Sequence, residues 1–409
     1  MQALIVGYVW PEPASSAAGK RMVQILNFLL EHNYLVTFAT PSAPTPFMED
    51  LPTMGINTVS IAVNDPEFDR FIEKLDPDLV IFDRFMMEEQ FGWRVAKFCP
   101  NALRILDTED LHFLRKKRES GFTGKAYTRD SDLELREIAS IYRCDLSLII
   151  SEVEMDLLIT QYKVPPGLLL YFPFLYRKVT EAEKEMPSFE ARNDFIYIGN
   201  LRHAPNLDAV IHLKETIWPL IHKQLPGAQM HIYGAYSPEK IDRLHDPKTN
   251  FLIKGRAANA AEVVKNARVS LVPLRFGAGL KGKLTESMIC GTPSVTTPTG
   301  AEGINADMPW NGAITEDPED FTSAAVKLYT SKEFWEAAVE KGFQIINTRF
   351  SRDIYHALFL DHINELMENL NAYRAENFTG RMLTHHRVKS TYYLSKYIET
   401  KNALEKLKA

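Results

Sequence analysis

Residues 268–304 read RVSLVPLRFGAGLKGKLTESMICGTPSVTTPTGAEGI. An apolar run ends at Leu274, glycines follow at positions 277, 279 and 282, and a helical pattern starts around Lys281. A strand that passes through a glycine-rich turn into a helix exposes free backbone N–H groups at a positive helix end, where a phosphate binds well. Gly277 and Gly279 let the backbone approach an anion closely, and Arg275, Lys281 and Lys283 add positive charge at the same place. Glu286 lies three residues after Lys283 and so on nearly the same helix face. Its carboxylate can accept two hydroxyl hydrogen bonds, which suits a ribose diol, or it can pair with a lysine on a solvated face.

The same alternation of strand and helix runs through most of the chain. Short Val/Ile/Leu-rich runs at 2–7, 34–39, 57–62, 78–82, 103–107, 145–150 and 167–171 are separated by longer amphipathic stretches, the rhythm of βα units building a parallel sheet. Met22, Ile25, Leu26, Phe28, Leu29 and Leu30 recur at helical spacing and predict a crossover helix between the first two runs. The stretch 178–193, KVTEAEKEMPSFEARN, is charged, lacks apolar periodicity and carries a proline, so it reads as a linker. A second set of runs follows at 195–199, 229–233, 251–254, 268–274 and 293–297. The fold class is α/β: two tandem Rossmann-like parallel-sheet domains, 1–177 and 194–349, facing a cleft, with a helical C-terminal extension, 350–409, part of which is expected to return to the first domain.

Of the 409 residues, 45% are hydrophobic and 24% charged, a mixture that excludes wholesale disorder and collagen-like repeats. The formal net charge of −6 leaves no basic field for non-specific nucleic-acid binding. Cys99, Cys144 and Cys290 are far apart without CxxC spacing, which rules out a disulfide framework or a zinc site and fits the cytoplasm. The apolar N-terminal run lacks a basic flank and meets Pro11 and Pro13, so it reads as a buried strand rather than a signal peptide, and no segment reads as membrane-spanning. The tail 371–409 holds eight Lys/Arg against three Glu, with Leu394, Tyr397, Ile398, Leu404 and Leu407 roughly at helical spacing. Such a helix either sits on an anionic membrane surface or meets an anionic acceptor, or it packs across the first domain with its lysines in water.

Gly277-Ala-Gly279-Leu-Lys-Gly282 also matches G-x-G-x-x-G, with Glu302 twenty residues beyond Gly282, which is formally a dinucleotide fingerprint. Against an NAD enzyme stand the three cations of the loop and its place in the fourth βα unit of its domain rather than the first. In the first domain, the loop from Trp10 to Arg21, containing Gly19, is small and flexible, as a loop abutting substrates must be, although such loops also serve as plain connectors. The segment Leu106-Asp107-Thr-Glu109-Asp110-Leu-His112 follows a strand, so its polar groups project from the strand's C-terminal edge into the cleft. Asp83-Arg84 ends another strand at that edge and is an acceptor-side candidate.

These segments together resemble the retaining, nucleotide-sugar-dependent glycosyltransferases with the GT-B fold, the large group often called glycosyl transferases group 1. The resemblance rests on Gly277-Ala-Gly279, Lys283, Leu284-Thr-Glu286, Gly291-Thr-Pro293 and the loop Thr296 to Gly303. Phe195 to Asn206, with Gly199 and Arg202, is similar to the family's opening strand of the donor domain, and His231-Ile-Tyr-Gly234 and Lys254-Gly255-Arg256 to its next two strand ends. The resemblance covers roughly 1–350.

The resemblance implies that Glu286 holds a nucleotide ribose, that Lys283 and Arg202 hold the diphosphate, and that His112 contacts the transferred sugar, although His112 alone would read as a structural histidine. It further implies donor contacts from Gly277, Gly279, Lys281, Arg275, Gly199, Gly234, Arg256 and Gly19. The family's usual second glutamate, eight residues before Glu286, is Ala278 here. The implied substrates are a UDP- or GDP-sugar and a glycan, lipid-linked or other hydroxyl acceptor in cell-surface glycan or polysaccharide synthesis, with no separate cofactor, no metal and no nucleic acid. A nucleotide-sugar epimerase, an NAD-dependent oxidoreductase and a non-catalytic scaffold are the other readings.

Overall fold

Seven strands form the first sheet: β1 Gln2–Val6, β2 Leu35–Thr40, β3 Asn57–Ser60, β4 Leu79–Asp83, β5 Leu103–Asp107, β6 Leu146–Ile149 and β7 Leu169–Tyr171. They pair in parallel in the order β3-β2-β1-β4-β5-β6-β7. In this computed structural model residues 1–127, 132–180 and 186–408 are described, so 181–185 of the expected linker lie outside the described residues. Ala3 and Ile5 of β1 enter one core layer, with the helices Ala17–Glu31 and Arg352–Glu376, while Leu4 and Val6 enter a second layer with the helix Glu67–Leu75. A strand buried on both faces must be apolar at consecutive positions, which is why these strands read as unbroken Val/Ile/Leu runs.

The second sheet comprises β8 Asn193–Ile198, β9 Met230–Tyr233, β10 Phe251–Gly255, β11 Ala267–Val272, β12 Ser294–Thr296 and β13 Gly312–Ile314, in the order β10-β9-β8-β11-β12-β13 and all parallel. Both sheets therefore reverse their strand order once, between β1 and β4 and between β8 and β11, and the C-terminal edges at such a reversal open the crevice in which open sheets bind ligands.

The helix Arg352–Glu376 lays Phe359, Ile363, Leu366 and Leu370 on the first sheet's core, with the Phe359 ring 4.7 Å from those of Phe28 and Phe172. The returning chain meets the outgoing one on the way: Tyr176 N donates to Phe350 O at 2.9 Å, and Arg352 N donates to Tyr176 O at 2.8 Å. The final helix, Phe378–Lys408, packs on the first lobe through Ser395 on Asn64, Tyr392 on Trp93 and Glu399 on the Arg94 guanidinium at 2.7 Å. Its side chains at 386–389, 391, 406 and 408 lie outside the described residues. Tyr393, Leu394, Tyr397, Leu404 and Leu407 are more than half exposed. The tail thus packs across the first lobe and also keeps an uncovered apolar stripe. Among the described residues no helix is long and apolar enough to cross a membrane.

Candidate functional site

At the reversal of the second sheet, β11 runs through the turn 275–281 into the helix Gly282–Ile289. Lys283, in the first turn of that helix, reaches back to β8 and the helix after it, Ala204–His212, where its ammonium donates to Asn206 Oδ1 at 2.6 Å and Tyr197 Oη at 2.8 Å. A Cβ on Gly199 would stand 2.7 Å from the lysine nitrogen, so only glycine lets Lys283 lie there. Its partners are uncharged, and burial pushes the ammonium down to about 7. This is a part-buried cation without a counter-charge, which an arriving anion would supply.

Glu286 follows almost one turn later and meets Lys20 of the helix Ala17–Glu31 at 3.2 Å across the cleft. The glycine turn is clasped from the first lobe as well. Glu154 accepts from Gly279 N at 2.8 Å and from Leu111 N at 3.2 Å, and Arg118 donates to Gly277 O at 2.8 Å and binds Glu302 at 2.7 Å. Gly279 holds φ +62°, and a Cβ on it would stand 2.8 Å from Asp110 Cβ, so both its conformation and its neighbour require glycine. A carboxylate therefore already occupies one of the loop N–H groups that the sequence offers to a phosphate. Burial pushes the Glu154 carboxyl up to about 8, the nearby Asp110 charge adding to it.

The other expected cations are dispersed. Arg275 forms a bidentate pair with Asp208 at 2.6 and 2.9 Å. Lys281 is buried, donates to Gly279 O at 2.7 Å, and is pushed down by that burial although Glu302 and Glu154 oppose the shift. Arg202 stacks 3.8 Å over the Tyr236 ring, and Arg256 lies 4.1 Å over Phe47. Tyr236 and Phe47 meet edge to face at 5.8 Å, and Tyr236 donates to Glu12 at 2.7 Å, so an aromatic and arginine ladder spans the two lobes. Gly234 touches the Gly199 carbonyl, and Gly19 the Glu12 backbone, each closer than a Cβ permits.

On the first lobe, register pairs Asp83 with Asp107 at the ends of β4 and β5. Asp107 is fully buried against Arg21, with contacts at 2.8 and 2.9 Å. The His112 ring is engaged rather than free: Nδ1 lies 3.1 Å from Asp110 O and 3.4 Å from Glu137 Oε1. His203, before the helix Ala204–His212, stands in the field of Arg84, Asp110 and Arg115 from the first lobe and of Lys283 from the second, so the two sets converge on one cleft. Sequence reasoning missed Lys20, Tyr197, Asn206, Glu154 and Arg118 as partners of the site, since each meets it only through tertiary contact. Among the described residues no group of His, Cys, Asp and Glu converges as a metal ion would require.

No curated protein matches the chain significantly in sequence. Among solved structures, TarM of S. aureus, in a variant complexed with Fondaparinux, alpha-GlcNAc-glycerol and UDP, superposes with a TM-score of 0.57 at 16% identity, over 72% of this chain and 58% of TarM. The chain thus spans little more than half of TarM's length. Sucrose-phosphate synthase from Thermosynechococcus elongatus gives 0.68 at 14% identity, over 90% of this chain and 99% of its own. Anabaena HepE in complex with UDP and glucose gives 0.65 at 11% identity, over 89% and 99%. These likenesses establish the two-lobed GT-B fold. Residues 192–331, which contain Gly199, Lys283 and Glu286, match the family described as Glycosyl transferases group 1, and the match lies in the second lobe.

Proposed function

We propose that the protein is a retaining, metal-independent glycosyltransferase that moves a sugar from a UDP- or GDP-sugar to a hydroxyl acceptor, in the synthesis of a cell-surface glycan or polysaccharide. The observation that carries this reading is the placement of Lys283, part-buried and without a carboxylate partner, almost one helical turn before Glu286 at the reversal of the second sheet. A diphosphate meets the lysine and a ribose diol meets the glutamate, once Lys20 is displaced. The bond from the anomeric carbon to the diphosphate oxygen breaks with its electron pair on the leaving group, through an oxocarbenium-like state. The acceptor oxygen bonds to that carbon from the same face and gives its proton to the leaving oxygen. Lys283 faces the growing negative charge from a fixed position, which is electrostatic preorganisation. Arg202 would join it by leaving Tyr236. UDP in the TarM and HepE complexes supports the same class of donor.

An NAD enzyme fits less well. The glycine motif follows the fourth strand of its domain, and Glu302, which would hold an adenosine ribose, is paired with Arg118. The exposed apolar stripe of the final helix, in a tail of net positive charge, supports peripheral contact with an anionic membrane.

The experiment is thermal-shift binding of UDP, GDP, CMP and NAD to the native chain and to Glu286→Ala and Lys283→Ala. Stabilisation by one nucleoside diphosphate, lost in both variants, is the expected result and names the base. Stabilisation by NAD alone, or by nothing, overturns the proposal.

A further inference from the structure

The C-terminal edge of the first sheet holds two carboxyl groups with unused acceptor oxygens. Asp83 ends β4; its Oδ2 accepts from Tyr8 N at 3.0 Å, while its Oδ1 has no partner. Glu109 lies two residues beyond β5 and is 8% exposed, and its carboxyl makes no hydrogen bond among the described residues. Two of the surrounding cations are committed elsewhere. Arg21 is bound to Asp107 and to the carbonyls of Phe172 and Pro173, and Arg115 is bound to Asp110. Arg84 sits 3.6 Å from Asp83 and 5.1 Å over the Tyr8 ring, which is 42% exposed.

The backbone is strained at the same place. Arg84 holds φ +70° and Glu109 φ +58°, in the region that favours glycine. Each such residue is strained and persists where the surroundings impose it, commonly at ligand sites. An unpartnered buried carboxyl adds a desolvation cost of its own. Two costly features on neighbouring strand ends, in the cleft that His203 shares with Lys283, point to a ligand that satisfies them.

We infer that Asp83 and Glu109 form the acceptor subsite and select an uncharged, polyhydroxylated sugar over a phosphorylated or carboxylated one. The inference rests on the glycosyl-transfer reading above and names its acceptor class. Hydroxyl groups donate to the free Asp83 oxygen and to Glu109, and the apolar face of the sugar ring lies on Tyr8. Burial, reinforced by the Asp107 charge and offset by Arg84 and Arg21, pushes Glu109 up to about 8, so near neutrality its carboxyl can also donate to a sugar oxygen. An anionic acceptor would meet the two carboxyl groups, with Arg84 already facing Asp83, Glu109, Asp110 and Asp107.

The test is saturation-transfer NMR on the full chain with a mixture of methyl glycosides of glucose, galactose, mannose and N-acetylglucosamine, and separately with glucose 6-phosphate. Signal from at least one neutral glycoside is expected in the native protein, lost in Glu109→Ala and largely kept in Glu109→Gln, with none from glucose 6-phosphate. Glu109→Gly, which relieves both the strained φ and the orphan carboxyl, is expected to raise Tm while abolishing the signal, which separates loss of binding from loss of fold. Binding of glucose 6-phosphate as strong as that of the glycosides, a native protein silent to all of them, or an unchanged signal in Glu109→Ala overturns the inference. Nucleoside diphosphate binding is measured on the same samples: its absence from the native protein removes the glycosyl-transfer reading, whereas its presence with failed sugar selectivity removes the subsite alone.

Discussion

Lys20 and Glu286 form an ion pair across the cleft, with 3.2 Å between Nζ and Oε1, in the position where the proposed ribose would bind. On the proposed function the lysine competes with the nucleotide for the same carboxylate. Both side chains are partly exposed, so the pair is worth roughly 0.2–1 kcal/mol. Lys20→Met is expected to tighten nucleoside diphosphate binding by about two- to fivefold in titration calorimetry. Unchanged or weaker binding would show that Lys20 does not hold the site against the nucleotide.

Lys283 gives that binding a pH dependence with a definite sign. Its ammonium is pushed down to about 7, and a bound diphosphate favours the charged form. Affinity is full below pH 7 and falls as pH rises above it, by up to about tenfold per pH unit, with proton uptake in alkaline buffer. Calorimetry in buffers of different ionisation enthalpy reads that uptake, and Lys283→Gln should abolish it along with most of the affinity.

Gly199→Ala would place a methyl group 2.7 Å from the Lys283 nitrogen. The flexible lysine yields rather than the strand, so the protein should fold while nucleotide affinity drops at least about tenfold, or 1.4 kcal/mol. Native-like circular dichroism together with native affinity would refute this placement of Lys283.

Stability depends on a different pair. Arg21 and Asp107 are buried to within 1% of full enclosure and bind through three contacts. Asp107→Asn leaves a buried guanidinium without its counter-charge and should cost about 3–5 kcal/mol in urea unfolding. A loss below about 1 kcal/mol would mean that the two carbonyls on Arg21 suffice to hold it.

The apolar stripe of the final helix predicts co-sedimentation with phosphatidylglycerol vesicles and little with phosphatidylcholine, weakening as salt rises. Tyr397→Glu with Leu404→Glu should abolish it and leave nucleotide binding intact. Equal sedimentation with both lipids would count against an electrostatic membrane contact.

The two-sheet architecture was legible because parallel strands buried on both faces print continuous apolar runs. Strand β13, Gly312–Ile314, went unread: three residues at a sheet edge, with Ile314 exposed, leave no such run. Lys283 and Glu286 were readable as neighbours because one helix carries both. Their partners were not, since Lys20 lies 266 residues from Glu286, and Tyr197 and Asn206 lie 86 and 77 residues from Lys283. Composition also could not distinguish a free cation from a spent one. Arg275 is held by Asp208 and Lys281 by the Gly279 carbonyl, so the glycine turn has less available charge than its sequence advertises.

The pairing of Tyr176 with Phe350 and Arg352 makes the two covalent passages between the lobes into a single joint. Two lengths of backbone fastened side by side resist sliding and permit swinging, so any opening of the cleft would part Lys20–Glu286, Arg118–Glu302 and Tyr236–Glu12 together. A nick in the outgoing strand would not release either half, because the returning strand and its docked helix still tether the second lobe to the first.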